Sequence, residues 1–124
     1  MNTQQVANRL VDLCRLGEFT KAQDELYAQD AASVEPAGVP AGQLGSVRGL
    51  DAIREKGKAF EQTYETIHGI TVSDPLVAGE FFSIVMGLDA TWKGRGRFAM
   101  EEICVYQVRD GKIVLEQFFY SVAG

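Results

Sequence analysis

Apolar residues recur every three or four positions in the first half of the chain and every two positions in most of the second, so helices come first and strands follow. Val6, Leu10, Leu13 and Cys14 make one helical stripe, opened by Asn2 or Thr3 as a cap and stopped at Gly17. A second helix is expected over residues 18–27, with Phe19, Ala22 and Leu26 on one side. Residues 31–36 form a short β-compatible segment that ends at Pro36. Residues 38–49 read as a loop of about a dozen residues, long enough to suggest a function. Residues 50–64 make a third helix striped by Ile53, Gly57, Phe60 and Tyr64.

Strands are then expected over residues 65–73, 80–92, 98–108 and 112–122, with a bend at Pro75 and Gly79. Phe82, Ile84, Met86 and Leu88 share one face of the long strand, against Ser83, Asp89 and Thr91 on the other. Asp110-Gly111 accepts the positive φ angles of a tight hairpin. Helices followed by long antiparallel strands indicate an α+β domain with helices on one face of the sheet.

Strand 98–108 carries a carboxylate on each face. Met100, Glu102, Cys104, Tyr106 and Val108 lie on one side, and Ala99, Glu101, Ile103, Val105 and Gln107 on the other. A strand that is apolar on both faces is covered on both, so at least one of Glu101 and Glu102 points at something enclosed. An enclosed carboxylate needs a partner or a task.

Composition narrows the possibilities. The 124 residues suit a single domain, 1–124. With 17 acidic and 12 basic residues the formal charge is −5, which argues against nucleic acid or an anionic membrane as partner. Lys93-Gly94-Arg95-Gly96-Arg97 reads as a solvated hairpin loop. No basic segment followed by an apolar core opens the chain, and no apolar run nears the roughly 20 residues of a membrane helix. A cytoplasmic, thiol-reduced protein is expected. Cys14 and Cys104 suggest neither a disulfide framework nor a metal site, and a single histidine, His68, rules out a multi-histidine zinc site. No metal or cofactor is expected.

Four segments carry a family resemblance: Gly17-Glu18-Phe19, Leu26-Tyr27-Ala28-Gln29-Asp30-Ala31, Val47-Arg48-Gly49, and Val108-Arg109-Asp110-Gly111-Lys112-Ile113. In their order and spacing the chain resembles the nuclear transport factor 2-like superfamily, in its SnoaL-like branch of polyketide cyclases and ketosteroid isomerases. The resemblance implies a cystatin-like fold: a strongly curved antiparallel sheet, or cone, whose pocket is closed by three N-terminal helices. It also implies a homodimer through the outer sheet face, where Ser83, Asp89, Thr91 and Gln107 mix with Val85, Ile103 and Val105.

The resemblance also nominates site residues. Ketosteroid isomerases place their general base at the ninth position of the segment that begins at Tyr27 here, which is Glu35. They place an aspartic acid seven residues before the hairpin glycine, and Cys104 stands there. Their helix-one tyrosine falls near Leu10. A thiol is a poor donor and leucine is none, so ketosteroid isomerase activity itself is not expected. Glu102 shares the face of Cys104 and can replace the missing acid one rung along. His68 is the sole imidazole and would form an acid–base dyad with Glu102 or Glu35. Phe82, Met86, Leu88, Met100, Cys104, Phe118 and Tyr120 are expected to line the binding wall.

The expected ligand is one small, apolar, oxygen-bearing molecule. If the protein turns it over, the chemistry is cofactor-free proton transfer (isomerisation, cyclisation or dehydration), with Glu35 as base and His68 or Glu102 as acid. The alternative is a non-catalytic ligand-binding or dimeric assembly module.

Overall fold

The computed structural model describes residues 1–40 and 42–122. Ala41, inside the expected loop 38–49, lies outside the described residues. Three helices, Thr3–Arg15 (α1), Phe19–Leu26 (α2) and Leu50–Glu61 (α3), cover one face of a curved, unclosed sheet. Its strands are Tyr27–Val34 (β1), Val47–Arg48 (β2), Tyr64–Val72 (β3), Leu76–Ala78 (β4), Phe81–Trp92 (β5), Gly96–Arg109 (β6) and Lys112–Phe119 (β7). They lie in the order β2-β1-β7-β6-β5-β3, with β4 also on β5. All pairings are antiparallel except β1 with β7. The sheet is therefore mixed, where the sequence suggested antiparallel pairing throughout. This is the α+β domain that the hydrophobic pattern implied, with the curved sheet that the family resemblance implied.

Local chemistry sets the boundaries. A capping box opens α1, in which the Asn2 side chain accepts from the Gln5 amide at 2.8 Å and the Gln5 side chain accepts from the Asn2 amide at 2.9 Å. Gly17, at φ 73°, ends that helix. The second helix stops at Leu26, and β1 begins at once with buried Tyr27, four residues earlier than the sequence suggested. The third helix stops at Glu61, because Thr63 turns its hydroxyl onto the Phe60 carbonyl at 2.6 Å and Tyr64 pairs with Trp92. Two short strands, β2 and β4, were not legible; β2 lies inside the expected loop. The Asp110-Gly111 hairpin forms as expected, with φ 52° and 74°.

Strands β5 and β6 pair over twelve positions, and the pairs Phe82↔Tyr106, Ile84↔Cys104, Met86↔Glu102 and Leu88↔Met100 fall on the concave face. The core gradient follows this register. At one end Phe82, Ile84, Cys104 and Tyr106 are buried with Val6, Leu10, Leu13 and Leu26 of the first two helices. Burial of each such large side chain contributes about 2 kcal/mol. At the other end Leu88, Ala90 and Trp92 pack with Phe60, Tyr64, Phe98 and Met100. Between the two ends the helices leave room. Among the described residues, no helix is long and apolar enough to cross a membrane.

Candidate functional site

The space between helices and sheet is a cavity of about 260 Å³. Leu10, Ile53, Phe60, Ile67, Leu88 and Phe118 supply much of its apolar wall, and Met86 and Met100 add thioethers. Glu35, Lys56, Glu102, Glu116, Tyr27, Tyr106 and Tyr120 bring polar groups to the same space. Residues 38–49 contribute Leu44 to its lining.

Glu35 lies just past the end of β1, opposite α3. Lys56 Nζ reaches its Oε2 at 2.6 Å, and the Tyr120 hydroxyl donates to its Oε1 at 2.5 Å. Their side chains are nearly enclosed, 8% exposed for Glu35 and 12% for Lys56. The same ammonium donates to Ser33 Oγ at 2.8 Å and lies 5.3 Å from the centre of the Phe118 ring. Burial, and then the charge and hydrogen bond of Glu35, raise the Tyr120 phenol above its ordinary range.

Glu116 lies behind this group. It is 6% exposed, and both Tyr27 and Ser33 donate to it, the latter at 2.7 Å. Burial pushes its carboxyl up, against the two hydrogen bonds and the Lys56 charge, which act to lower it. Parity on β7 puts Glu116, Phe118 and Tyr120 on one face, opposite Tyr106 and Cys104 of β6.

Glu102 is different. Among the described residues no ion pair reaches it. Its one side-chain hydrogen bond is from the Cys104 thiol, at 3.6 Å. Burial above all, then the nearby Glu35 charge, raise its carboxyl from 4.5 to about 7. Burial lifts both thiols as well, Cys14 to about 12, so neither is a nucleophile at neutral pH.

Measured against the sequence expectations, the structure gathers Glu35, Glu102, Met86, Leu88, Met100, Phe118 and Tyr120 around one cavity. Three expected residues do not join them. His68 is exposed on the outer face, where its Nε2 meets Thr91 Oγ1 at 2.7 Å. A register shift between Ile67 and Gly69 turns its ring outward and leaves Ile67 on the cavity wall. No His68 dyad with Glu35 or Glu102 forms. Phe82 lies deeper, stacked on Tyr106 at 4.8 Å, and Cys104 is fully buried beside it, so both are core and not cavity wall. Glu101 is exposed on the opposite strand face.

Lys56, Glu116, Ser33 and Tyr27 were not nominated from the sequence. Two signals point to Lys56 and Glu116, a charged residue next to Gly57 on the apolar stripe of α3 and a carboxylate at inward parity with Phe118 and Tyr120; none points to Ser33 or Tyr27. Among the described residues no three His, Cys, Asp or Glu side chains group as metal ligands.

Gly57 is in the interior of α3 and on the cavity wall. A methyl group there meets only the Gln23 amide at 3.7 and 3.9 Å, an ordinary contact. Gly57→Ala is therefore expected to raise stability by about 0.5–1 kcal/mol through helix propensity, read as a higher melting temperature. Gly57→Phe is expected to fill the cavity and abolish ligand binding while the protein stays folded.

Comparisons with known proteins bear on the family and the fold. Residues 1–120 match the family model described as a SnoaL-like domain. A candidate SnoaL-like polyketide cyclase from Mesorhizobium loti is 31% identical, with a TM-score of 0.88, over 97% of this chain and 100% of that one. A cystatin-like protein of unknown function from Xanthomonas campestris is 21% identical, with a TM-score of 0.75, over 96% and 90%. A Catenulispora acidiphila protein with a ketosteroid isomerase-like fold, crystallised with trimethylamine, is 19% identical with a TM-score of 0.74, over 98% and 88%. No curated protein matches the chain.

Proposed function

The chain belongs to the SnoaL-like domain family, and on that footing we propose that it binds a small apolar molecule bearing an oxygen group and moves a proton on it without a cofactor. The observation that carries this reading is the cavity of about 260 Å³, apolar over most of its wall, with Glu35, Lys56, Glu102 and Tyr120 gathered in it. Isomerisation, cyclisation and dehydration all fit such a site.

Glu102 is the proton-exchanging group. Among the described residues no ion pair reaches it, so the Lys56 charge offsets its burial only in part, and at about 7 its carboxyl exists in both forms at neutral pH, as a general acid or base requires. Glu35, nominated as base from the sequence, has a different task. Both its oxygens already accept from Lys56 and Tyr120, so it anchors those two groups.

A second reading, binding without turnover, is favoured by Cys104 and Leu10 at the positions where the isomerases carry their hydrogen-bond donors. Native mass spectrometry of the purified protein, beside Gly57→Phe, tests what both readings share. A bound molecule of small mass in the wild type and none in the variant supports the pocket. The same molecule at equal occupancy in both contradicts it. Turnover of that molecule, lost in Glu102→Gln while binding persists, separates enzyme from binder.

The homodimer is likewise proposed, through the outer sheet face. The cross-strand neighbours Val85, Ile103 and Phe119 are exposed there by 42%, 49% and 46%, an apolar stripe suited to a second copy.

A further inference from the structure

We infer that the cavity also accepts a small organic cation, a tertiary or quaternary ammonium with apolar substituents, seated with its nitrogen against Glu102. This goes beyond the proposed function: it names a second class of ligand, one that is held and not turned over.

The carboxylates of the cavity are unequally provided for. Glu35 accepts from Lys56 at 2.6 Å and from Tyr120 at 2.5 Å. Glu116 accepts from Tyr27 and, at 2.7 Å, from Ser33. Glu102 receives only the Cys104 thiol, at 3.6 Å, and a thiol is a weak donor. The Lys56 ammonium and the Tyr120 hydroxyl line the same cavity, but both are committed to Glu35. The wall thus holds three carboxylates against one lysine, and the carboxylate without a strong donor is the one among apolar neighbours.

Those neighbours suit alkyl groups on nitrogen. Met86 is the cross-strand partner of Glu102, and Met100 shares its strand face, so two thioethers flank it. Phe60 and Tyr64, packed edge to face with ring centres 5.8 Å apart, line the same cavity and belong with Met100 to the cluster around Leu88 and Trp92. Aromatic rings attract alkylated cations through their π faces. Glu102 is desolvated before any guest arrives, so only the guest's own loss of water opposes the pair. That loss is small for a charge wrapped in alkyl groups. A metal ion would find one such carboxylate where it needs several oxygen ligands, and an anion would meet repulsion. A cation paired with Glu102 withholds it from proton exchange and is therefore expected to inhibit any turnover.

The test uses the phenyltrimethylammonium ion and tert-butylbenzene, which share a shape and differ by one charge. Their binding is measured by equilibrium dialysis on the wild type, Glu102→Gln and Glu101→Gln. At pH 8 the wild type should hold the cation at least about tenfold more tightly than the hydrocarbon. The carboxyl of Glu102 lies at about 7, so the preference should fall about tenfold at pH 6, where most of it is protonated. Glu35, Lys56, Glu116, Tyr120 and Cys104 also face Glu102, and all remain in the variant. Glu102→Gln should bind tert-butylbenzene as the wild type does, which shows an intact cavity, and show no preference at either pH. Glu101→Gln, which removes the same charge from the opposite strand face, should behave as the wild type. A preference for the cation that survives in Glu102→Gln, or that is lost equally in Glu101→Gln, overturns the assignment. Hydrocarbon binding to the wild type with no preference for the cation overturns it while the pocket stands; binding of neither compound counts against the pocket as well.

Discussion

Glu102→Gln is expected to be more stable than the wild type at pH 8, by about 3 kcal/mol, and to match it near pH 4. The folded protein raises this carboxyl from 4.5 to about 7, chiefly by burial. Between those values the folded chain holds a proton that the unfolded chain has released. The contribution of Glu102 to stability is therefore complete below about pH 4.5 and is lost as pH rises through about 7. Glutamine keeps the shape and never pays the cost of ionising in an enclosed site. Glu116, raised as well, stays in both proteins and cancels in the difference. Urea unfolding of the two proteins at each pH from 4 to 8 gives the comparison directly. Parallel stability profiles across that range would show that Glu102 is solvated or paired, and would remove the proton-exchanging role.

Glu116→Ala should have the second large effect, a loss of about 3 kcal/mol. Tyr27 and Ser33, 6% and 0% exposed, both donate to this carboxylate. Alanine would leave two buried hydroxyls without their acceptor and open a void behind the cavity wall. Removing donor and acceptor together behaves differently: Tyr27→Phe combined with Glu116→Leu should cost clearly less than the two single changes added together, because the tyrosine hydroxyl is no longer stranded and only that of Ser33 loses its acceptor. Chemical denaturation of the singles and the double measures this coupling. A loss under about 1 kcal/mol in Glu116→Ala would mean that water replaces the carboxylate, and that the wall behind Lys56 is wet.

Much of this fold was legible because its strands alternate cleanly. The parity of Phe82, Ile84, Met86 and Leu88 against Met100, Glu102 and Cys104 is the register found in β5 and β6. The Asp110-Gly111 turn fixed the hairpin with β7, and that parity brought Tyr120 and Phe118 to the cavity. Legibility failed where period and geometry part. A one-residue irregularity in β3 sends His68 outward, and no composition signal marks it. The stripe of α2 runs on into Tyr27, so the start of β1 was hidden behind a helical pattern. Depth was also hidden: Phe82 and Met86 share a face, but the first lies under the helices and the second lines open space. A single charge inside an apolar stripe, as at Lys56 or Glu116, is a weak signal until its partner on a distant element is seen.

Three methionines make the central claim measurable. Met86 and Met100 line the cavity, and Met1, 61% exposed, lies apart from it. With ¹³C-methyl methionine the protein gives three resonances, to be followed while 1-tetralone and other small neutral oxygen-bearing compounds are added. Saturable shifts of Met86 and Met100 with Met1 unmoved are the predicted result. Compounds that bind yet leave Met86 and Met100 unmoved, or that shift all three methyls alike without saturation, would contradict a ligand site in this cavity.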